Sequence, residues 1–266
     1  MRGEFVDVGG ARLYYYAAGT RGAGEPVVLI HGCLTSSHLW SCVVPCLPDG
    51  HRTVVVDLLG HGRSDPPSGQ PLTARAHAKR LVLLLDALRI ERACLVGHGF
   101  GAAVANLVAI YDSPRASRLC FVNATLRWRR ASSLLRGARY VPEPLLRSAV
   151  RSRIRRGYVD AERANRSLDH YMRPFAAPGG HAALGAQLAA LPSDEDRAAC
   201  QFVFDARQKP TALVAGANDP FESLGSARAV QALNPSATLD VLSDAHYAPE
   251  ESPERVAQVI TQLLER

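Results

Sequence analysis

Short apolar runs alternate with stretches of helical periodicity through most of the chain. Glu4–Val8 and Ala11–Ala17 flank Gly9-Gly10, which predicts a β-hairpin. Pro26–Ile30, Arg52–Val56, Ala93–Val96 and Arg118–Val122 are dominated by β-branched and apolar residues, as expected of strands buried on both faces. The loop His31–Ser37 leads into a short predicted helix. Thr73 precedes a segment whose Leu81, Leu84, Leu85 and Leu88 recur at helical spacing, so it is expected to cap a helix there. A second helix is predicted over Ala102–Ile110, directly after the glycine-dense turn Gly97–Gly101.

The alternation then stops. From about Thr125 to Ala199 the chain is rich in Arg, Ala and Leu at helical spacing, with no strand signal. It resumes with strands over Thr211–Ala215 and Ala237–Val241 and a final helix over Pro253–Leu264. Apolar strands alternating with helices imply an α/β fold with a mostly parallel central sheet covered on both faces. The expected organisation is a core of residues 1–124 and 200–266, interrupted by a helical lid over 125–199. An insertion after the fourth parallel strand would sit at the carboxyl edge of the sheet, over the ligand crevice.

At 266 residues and 47% hydrophobic positions the chain can bury one large core and is too apolar for disorder. The runs Leu81–Leu85 and Val27–Ile30 are too short to cross a bilayer, and no secretory signal is visible at Met1–Phe5. A cytoplasmic location is the expectation, with no membrane partner. Six cysteines without a C-x-x-C pair argue against a disulfide scaffold or a structural zinc, and most are expected to be small buried apolar residues. With no dinucleotide motif and no metal-ligand cluster, no cofactor is expected. Of the 31 basic residues only Lys79 and Lys209 are lysines.

Chemistry concentrates at the ends of the predicted strands. Cys94-Leu95-Val96-Gly97-His98-Gly99-Phe100-Gly101-Ala102 runs a strand into a helix through the frame of a nucleophile elbow, G-x-S-x-G. His31-Gly32 follows one strand, and Asp57-Leu58-Leu59-Gly60-His61-Gly62-Arg63-Ser64-Asp65 follows another. Gly216-Ala217-Asn218-Asp219 and Asp244-Ala245-His246 follow the last two. With these five motifs in this order, the chain resembles the α/β-hydrolase superfamily, in its small lidded branch of esterases, haloperoxidase-like and epoxide-hydrolase-like enzymes. The resemblance runs over the whole length, the lid being matched by position only.

That resemblance implies an acid at Asp219, a base at His246, and an oxyanion hole from the backbone N–H groups of Cys33 and Phe100. The sequence departs from the pattern at one place: the nucleophile position is Gly99, with no hydroxyl, thiol or carboxylate. Glycine takes the positive φ of such an elbow freely. The exchange therefore removes a nucleophile without disturbing the His–Asp dyad. Cys33 is the alternative nucleophile to weigh, against a plain packing role. His98, His31, Asp57 and His61 read as bracing residues. Ser37 and Trp40 are candidates for the pocket mouth, and Trp128 and Tyr171 for a lid lining shared with Tyr140, Tyr158 and Phe175.

Ten arginines stand between Arg127 and Arg156 against the single acid Glu143. So one-signed a stretch suits an anionic partner, either a small substrate bearing a carboxylate or phosphate or an acidic carrier protein. Nucleic acid fits less well, because no stacking platform or binding motif accompanies the charge. The leading expectation is an enzyme acting on a small carbonyl or acyl compound through His246 and Asp219. The histidine would activate water or abstract a substrate proton, as in the family's cofactor-independent dioxygenases and hydroxynitrile lyases. The alternatives are a non-catalytic relative that binds a ligand or carrier, and a serine hydrolase or acyltransferase whose nucleophile was replaced by Gly99.

Overall fold

The hairpin strands are β1 (Glu4–Asp7) and β2 (Arg12–Ala18), followed by β3 (Val27–Ile30) and β4 (Thr53–Val56). Helix α1 (Ala74–Ala87), β5 (Ala93–His98), α2 (Phe100–Tyr111) and β6 (Ala116–Val122) come next. The structure is a computed structural model describing residues 3–20, 24–124, 137–177, 179–190, 209–221 and 224–266. After β6 the described residues form α3 (Glu143–Arg156), α4 (Ala161–Met172) and α5 (Gly180–Ala189), with no strand among them. Strand β7 (Thr211–Gly216), α6 (Leu224–Leu233), β8 (Thr238–Leu242), the single turn α7 (Ala248–Glu251) and α8 (Pro253–Leu264) complete the chain.

All eight strands form one sheet in the order β1-β2-β4-β3-β5-β6-β7-β8. The β1–β2 and β2–β4 pairs are antiparallel and the rest are parallel. The mostly parallel α/β sheet expected from the apolar runs is thus present. Its inner strands are apolar throughout because both faces are covered. Val28 and Ile30 pack with Leu81, Leu84 and Leu107 of α1 and α2, while Val27 and Leu29 pack with Trp40, Ile154 and Ile260 on the other face. Thr73 caps α1 as expected, its side chain accepting the Ala76 N–H at 3.2 Å.

Two details differ from the sequence reading. The short helix after the His31 loop is a pair of 3₁₀ turns, Ser37–Trp40 and Val44–Cys46, the second carrying Pro45 in its first turn. Of the cysteines, Cys94 and Cys120 are buried, but Cys33 is half-buried and Cys42 and Cys46 are exposed beside these turns. Cys200 lies outside the described residues.

The sheet changes direction at β3, with β4 on one side and β5 on the other. The loops leaving the carboxyl ends of β3 and β5 therefore part at a crevice, the usual ligand position in such sheets. The helical segment after β6 is packed into the body. Leu146, Val150 and Ile154 of α3 and Leu168 and Tyr171 of α4 share one apolar cluster with Trp40, Val43 and Tyr247. Among the described residues no helix is long and apolar enough to cross a membrane.

Shared packing makes α3 part of the cooperative unit. Ile154→Ala is expected to lower global stability by about 2–5 kcal/mol, with circular dichroism and fluorescence reporting one common denaturation midpoint. A separate early transition of the helical signal would show instead that the segment melts by itself.

Candidate active site

Three glycines bring the β3 loop and the β5 turn into contact. A Cβ at Gly101 would press into the carbonyl oxygens of Ile30 and His31, and one at Gly97 into the backbone of Gly101 and Ala102. A Cβ at Gly32 would meet His98 Nδ1 at 2.6 Å. Between these forced positions stands Gly99, at φ 52° and ψ −114°, heading α2. Its N–H donates to Val122 O at 3.0 Å, which ties the elbow to β6. Here a Cβ has room: its nearest neighbours would be His246 Cε1 and Nε2, both at 3.6 Å, and Gly32 Cα at 3.9 Å. Only the backbone conformation favours glycine at 99; space does not demand it.

His246 and Asp219, 27 residues apart, meet at the ends of β8 and β7, with Nδ1 3.0 Å from Asp219 Oδ2. The carboxylate accepts, so Nδ1 carries the proton and Nε2 the lone pair. That lone pair faces the space over Gly99, and no described residue bonds to it. Burial pushes the Asp219 carboxyl up, but the His246 bond and charge, the Asn123 amide and the Phe221 N–H outweigh it and hold the pKa below the ordinary value.

Asn123 was not singled out in the sequence. It follows β6 directly, at φ 46°, and donates to Asp219 Oδ2 at 2.8 Å and to Ala245 O at 2.9 Å, joining the Asp219 loop to the His246 loop. Its only signal was a polar residue directly after the apolar run Cys120-Phe121-Val122. Phe221 was missed as well; its ring meets the His246 ring edge-on at 5.2 Å.

His31 and His98 each have one tautomer. Leu58 N–H donates to His31 Nε2 at 3.0 Å, so His31 Nδ1–H donates to Gly32 O at 2.7 Å and holds the loop that carries Cys33. His98 Nε2–H donates to His246 O at 2.8 Å from behind the elbow. Asp57 accepts the N–H groups of Ser37 at 2.6 Å and Arg63 at 2.9 Å. Leu34, at φ 62°, sharpens the turn beside Cys33. Burial pushes the Cys33 thiol up to about 12, and the nearby Arg153 charge offsets this only in part. At neutral pH Cys33 is a thiol, a poor nucleophile. Phe100 is the first residue of α2, directly after Gly99.

The other candidates are distributed differently. Ser37 lines a cavity of about 430 Å³ with His38, His170 and Arg173, whose walls include none of Gly99, Asp219 and His246. Trp40 is fully buried in the apolar cluster and does not stand at a pocket mouth. Tyr171 is buried too, its hydroxyl donating to Glu250. Trp128 lies outside the described residues. Of the other aromatics expected to line a lid, Tyr158 and Phe175 are buried and Tyr140 is exposed.

Two glutamates just after the histidine fasten α3 and α4 to its loop. Glu250, buried, accepts hydroxyls from Tyr158, Ser167 and Tyr171. Glu251 accepts Val159 N–H at 2.7 Å and Asp160 N–H at 3.0 Å. Gly157 O accepts the His246 N–H at 2.8 Å. Among the described residues no group of three His, Cys, Asp or Glu side chains is arranged to hold a metal ion.

The profile of the family described as alpha/beta hydrolase fold matches residues 25–253. The 2-hydroxymuconate semialdehyde hydrolase of Pseudomonas sp. (strain CF600) is 36% identical over 106 residues, 39% of this chain and 38% of that protein. The chain thus spans well under half of that relative's length. Haloalkane dehalogenase 2 of Mycobacterium tuberculosis is 27% identical over 97% of this chain and 93% of that protein. Among solved structures, the enol-lactonase from Burkholderia xenovorans LB400 superposes with a TM-score of 0.84 at 21% identity, covering 99% of this chain and 100% of that one. At that identity the likeness speaks to the fold alone.

Acidification should strain this site. Burial lowers His31 and His38 to about 4 and His61 and His98 to about 3, and it holds His77 well below its ordinary value. Unfolded, each returns to about 6.5, so unfolding takes up protons below that pH and stability falls by up to about 1.4 kcal/mol per pH unit for each imidazole. Asp57 and Glu250, raised by burial, act in the opposite sense but are outnumbered. The urea midpoint is therefore expected to drop steeply from about pH 6.5 toward 4.5. A flat profile over that window would contradict the buried neutral histidines.

Proposed function

The chain belongs to the alpha/beta hydrolase fold family, and we propose that it is an enzyme acting on a small carbonyl or acyl compound through His246 and Asp219, with no nucleophile on the elbow. The observation that carries this reading is the pairing at the crevice. Nδ1 of His246 is committed to Asp219, while Nε2 looks onto the space above Gly99, where a side chain would otherwise stand.

A water molecule over Gly99 would lie within reach of Nε2. His246 takes its proton, and the water oxygen bonds to the substrate carbonyl carbon. The carbonyl oxygen becomes an anion facing the N–H groups of Cys33 and Phe100. As the tetrahedral centre collapses, the bond to the leaving group breaks and the imidazolium returns its proton to that group. Asp219 stays ionised and stabilises the transient imidazolium. General-base assistance contributes about 10²–10⁴-fold and an oxyanion donor about 10²–10³-fold, and neither requires a covalent intermediate. The same lone pair would serve proton abstraction from a substrate carbon. The names of the relatives, a semialdehyde hydrolase, a haloalkane dehalogenase and an enol-lactonase, are compatible with small organic substrates.

His246→Ala should abolish turnover of the responsive members of a panel of activated esters and lactones, by about a hundredfold or more, with the fold intact by circular dichroism. Unchanged turnover in that variant would sink the reading.

Gly99→Ser should fold, at a cost of about 1–3 kcal/mol for a non-glycine residue at positive φ. It should gain a pre-steady-state burst of acylation that Gly99→Ser/His246→Ala lacks. A folded Gly99→Ser that stays silent on every ester would favour a ligand-binding protein over an enzyme.

A further inference from the structure

Helix α3 carries its arginines on two sides. Leu146, Val150 and Ile154 form its buried stripe. Arg147, Arg151 and Arg155 follow one another at one-turn spacing along another side, and each is engaged there. Arg147 donates to Phe175 O at 2.7 Å and faces Glu143, Arg151 faces Asp169 at 3.7 Å, and Arg155 donates to Asn165 at 3.1 Å. Arg153 stands apart from that row. It follows Val150 by three residues and precedes Gly157 by four, so it flanks the buried stripe on the side of the histidine loop.

Its guanidinium lies over the Phe221 ring, 3.9 Å from the centroid. The Phe221 ring in turn meets the His246 ring at 5.2 Å. Together the two separations keep the guanidinium carbon within about 9 Å of the catalytic imidazole. Arg153 is an exposed residue, and its charge is felt at the Cys33 thiol and at the Tyr247 hydroxyl. Among the described residues no carboxylate pairs with it. A guanidinium stacked on an aromatic face keeps its edge donors in a planar fork, the geometry that takes a carboxylate by two parallel hydrogen bonds.

We propose that Arg153 is a specificity-determining residue that binds a carboxylate on the substrate, so that the crevice takes acyl compounds carrying a second, ionised carboxyl group a short chain away from the reacting carbonyl. This rests on the reading of His246 and Gly99 given above. Bound in that way, the anionic end sits on α3 and Phe221, and the chain between the two groups lays the carbonyl over Gly99. Remote binding energy then orients the reacting centre.

The test has a binding arm that needs no turnover and an acylation arm that does. In the first, monomethyl glutarate and its neutral match methyl pentanoate are titrated against the protein by NMR. The anionic probe is expected to bind at least about tenfold more tightly, and Arg153→Met should erase that ratio while Arg153→Lys keeps part of it. In the second, the Gly99→Ser background is given mono-4-nitrophenyl glutarate and 4-nitrophenyl pentanoate. Adding Arg153→Met should raise KM for the anionic ester relative to the neutral one, with the ratio of kcat values unmoved. A binding ratio near one in the parent protein, or a ratio that survives Arg153→Met, overturns the proposal. If Gly99→Ser is silent but the Arg153-dependent binding ratio is present, the carboxylate site stands and the catalytic reading falls. If acylation proceeds with no anionic preference, the catalytic reading stands and the carboxylate site falls.

Discussion

The close approach of two backbones at the β3–β5 crevice is the constraint on which the rest of the site depends. Gly32, Gly97 and Gly101 leave no room for a Cβ, since each would collide with a carbonyl, a backbone segment or the His98 ring. Removing those three side chains lets the elbow pack against the loop that carries Cys33. Everything chemical is then referred to that contact: the imidazole of His246 is placed against Gly99, and Gly99 against Gly32. Gly99 is different in kind from the other three, because space is available there and only its φ of 52° resists a side chain. A glycine at this point relieves backbone strain and leaves a place within reach of a base.

Around that contact the polar groups are buried, neutral and paired in one direction. His31 and His98 each donate from one nitrogen to a carbonyl oxygen, and burial keeps both uncharged at neutral pH. A charged imidazole in either position would be expensive to desolvate and would repel a protonated His246. Asp219 is supported for ionisation by a side-chain amide, a backbone N–H and the histidine itself. Neutral braces thus surround one supported anion and the imidazole it holds.

The helical segment after β6 is joined to this machinery rather than laid over it. Glu250 and Glu251 follow the histidine by four and five residues and take hydroxyls and N–H groups from the α3–α4 joint, while Gly157 O takes the N–H of His246 itself. Any movement of that joint would be transmitted to His246. The same fastening brings the last turn of α3 against Phe221 and Tyr247, and with it the Arg153 guanidinium.

The elements and the positions of the chemistry were readable in the linear pattern, because the two periods involved are local. Alternation and continuous apolar runs marked the strands to within a residue or two. The 3.6-residue spacing of Leu81, Leu84, Leu85 and Leu88 marked α1, and glycines at 97, 99 and 101 announced a tight strand-to-helix turn. The contact between His246 and Asp219 was expected because each follows a strand in the order the resemblance implies. Nothing local identified Asn123 as their strut, since its partners lie 96 and 122 residues away. Nor could it show that Trp40 turns into the core, that Ser37 opens onto a separate cavity, or that Arg153 leaves the row of Arg147, Arg151 and Arg155 to lie over the Phe221 ring. Those outcomes depend on the direction in which a side chain leaves its helix or loop and on what distant segment is packed there. Only the folded chain sets both.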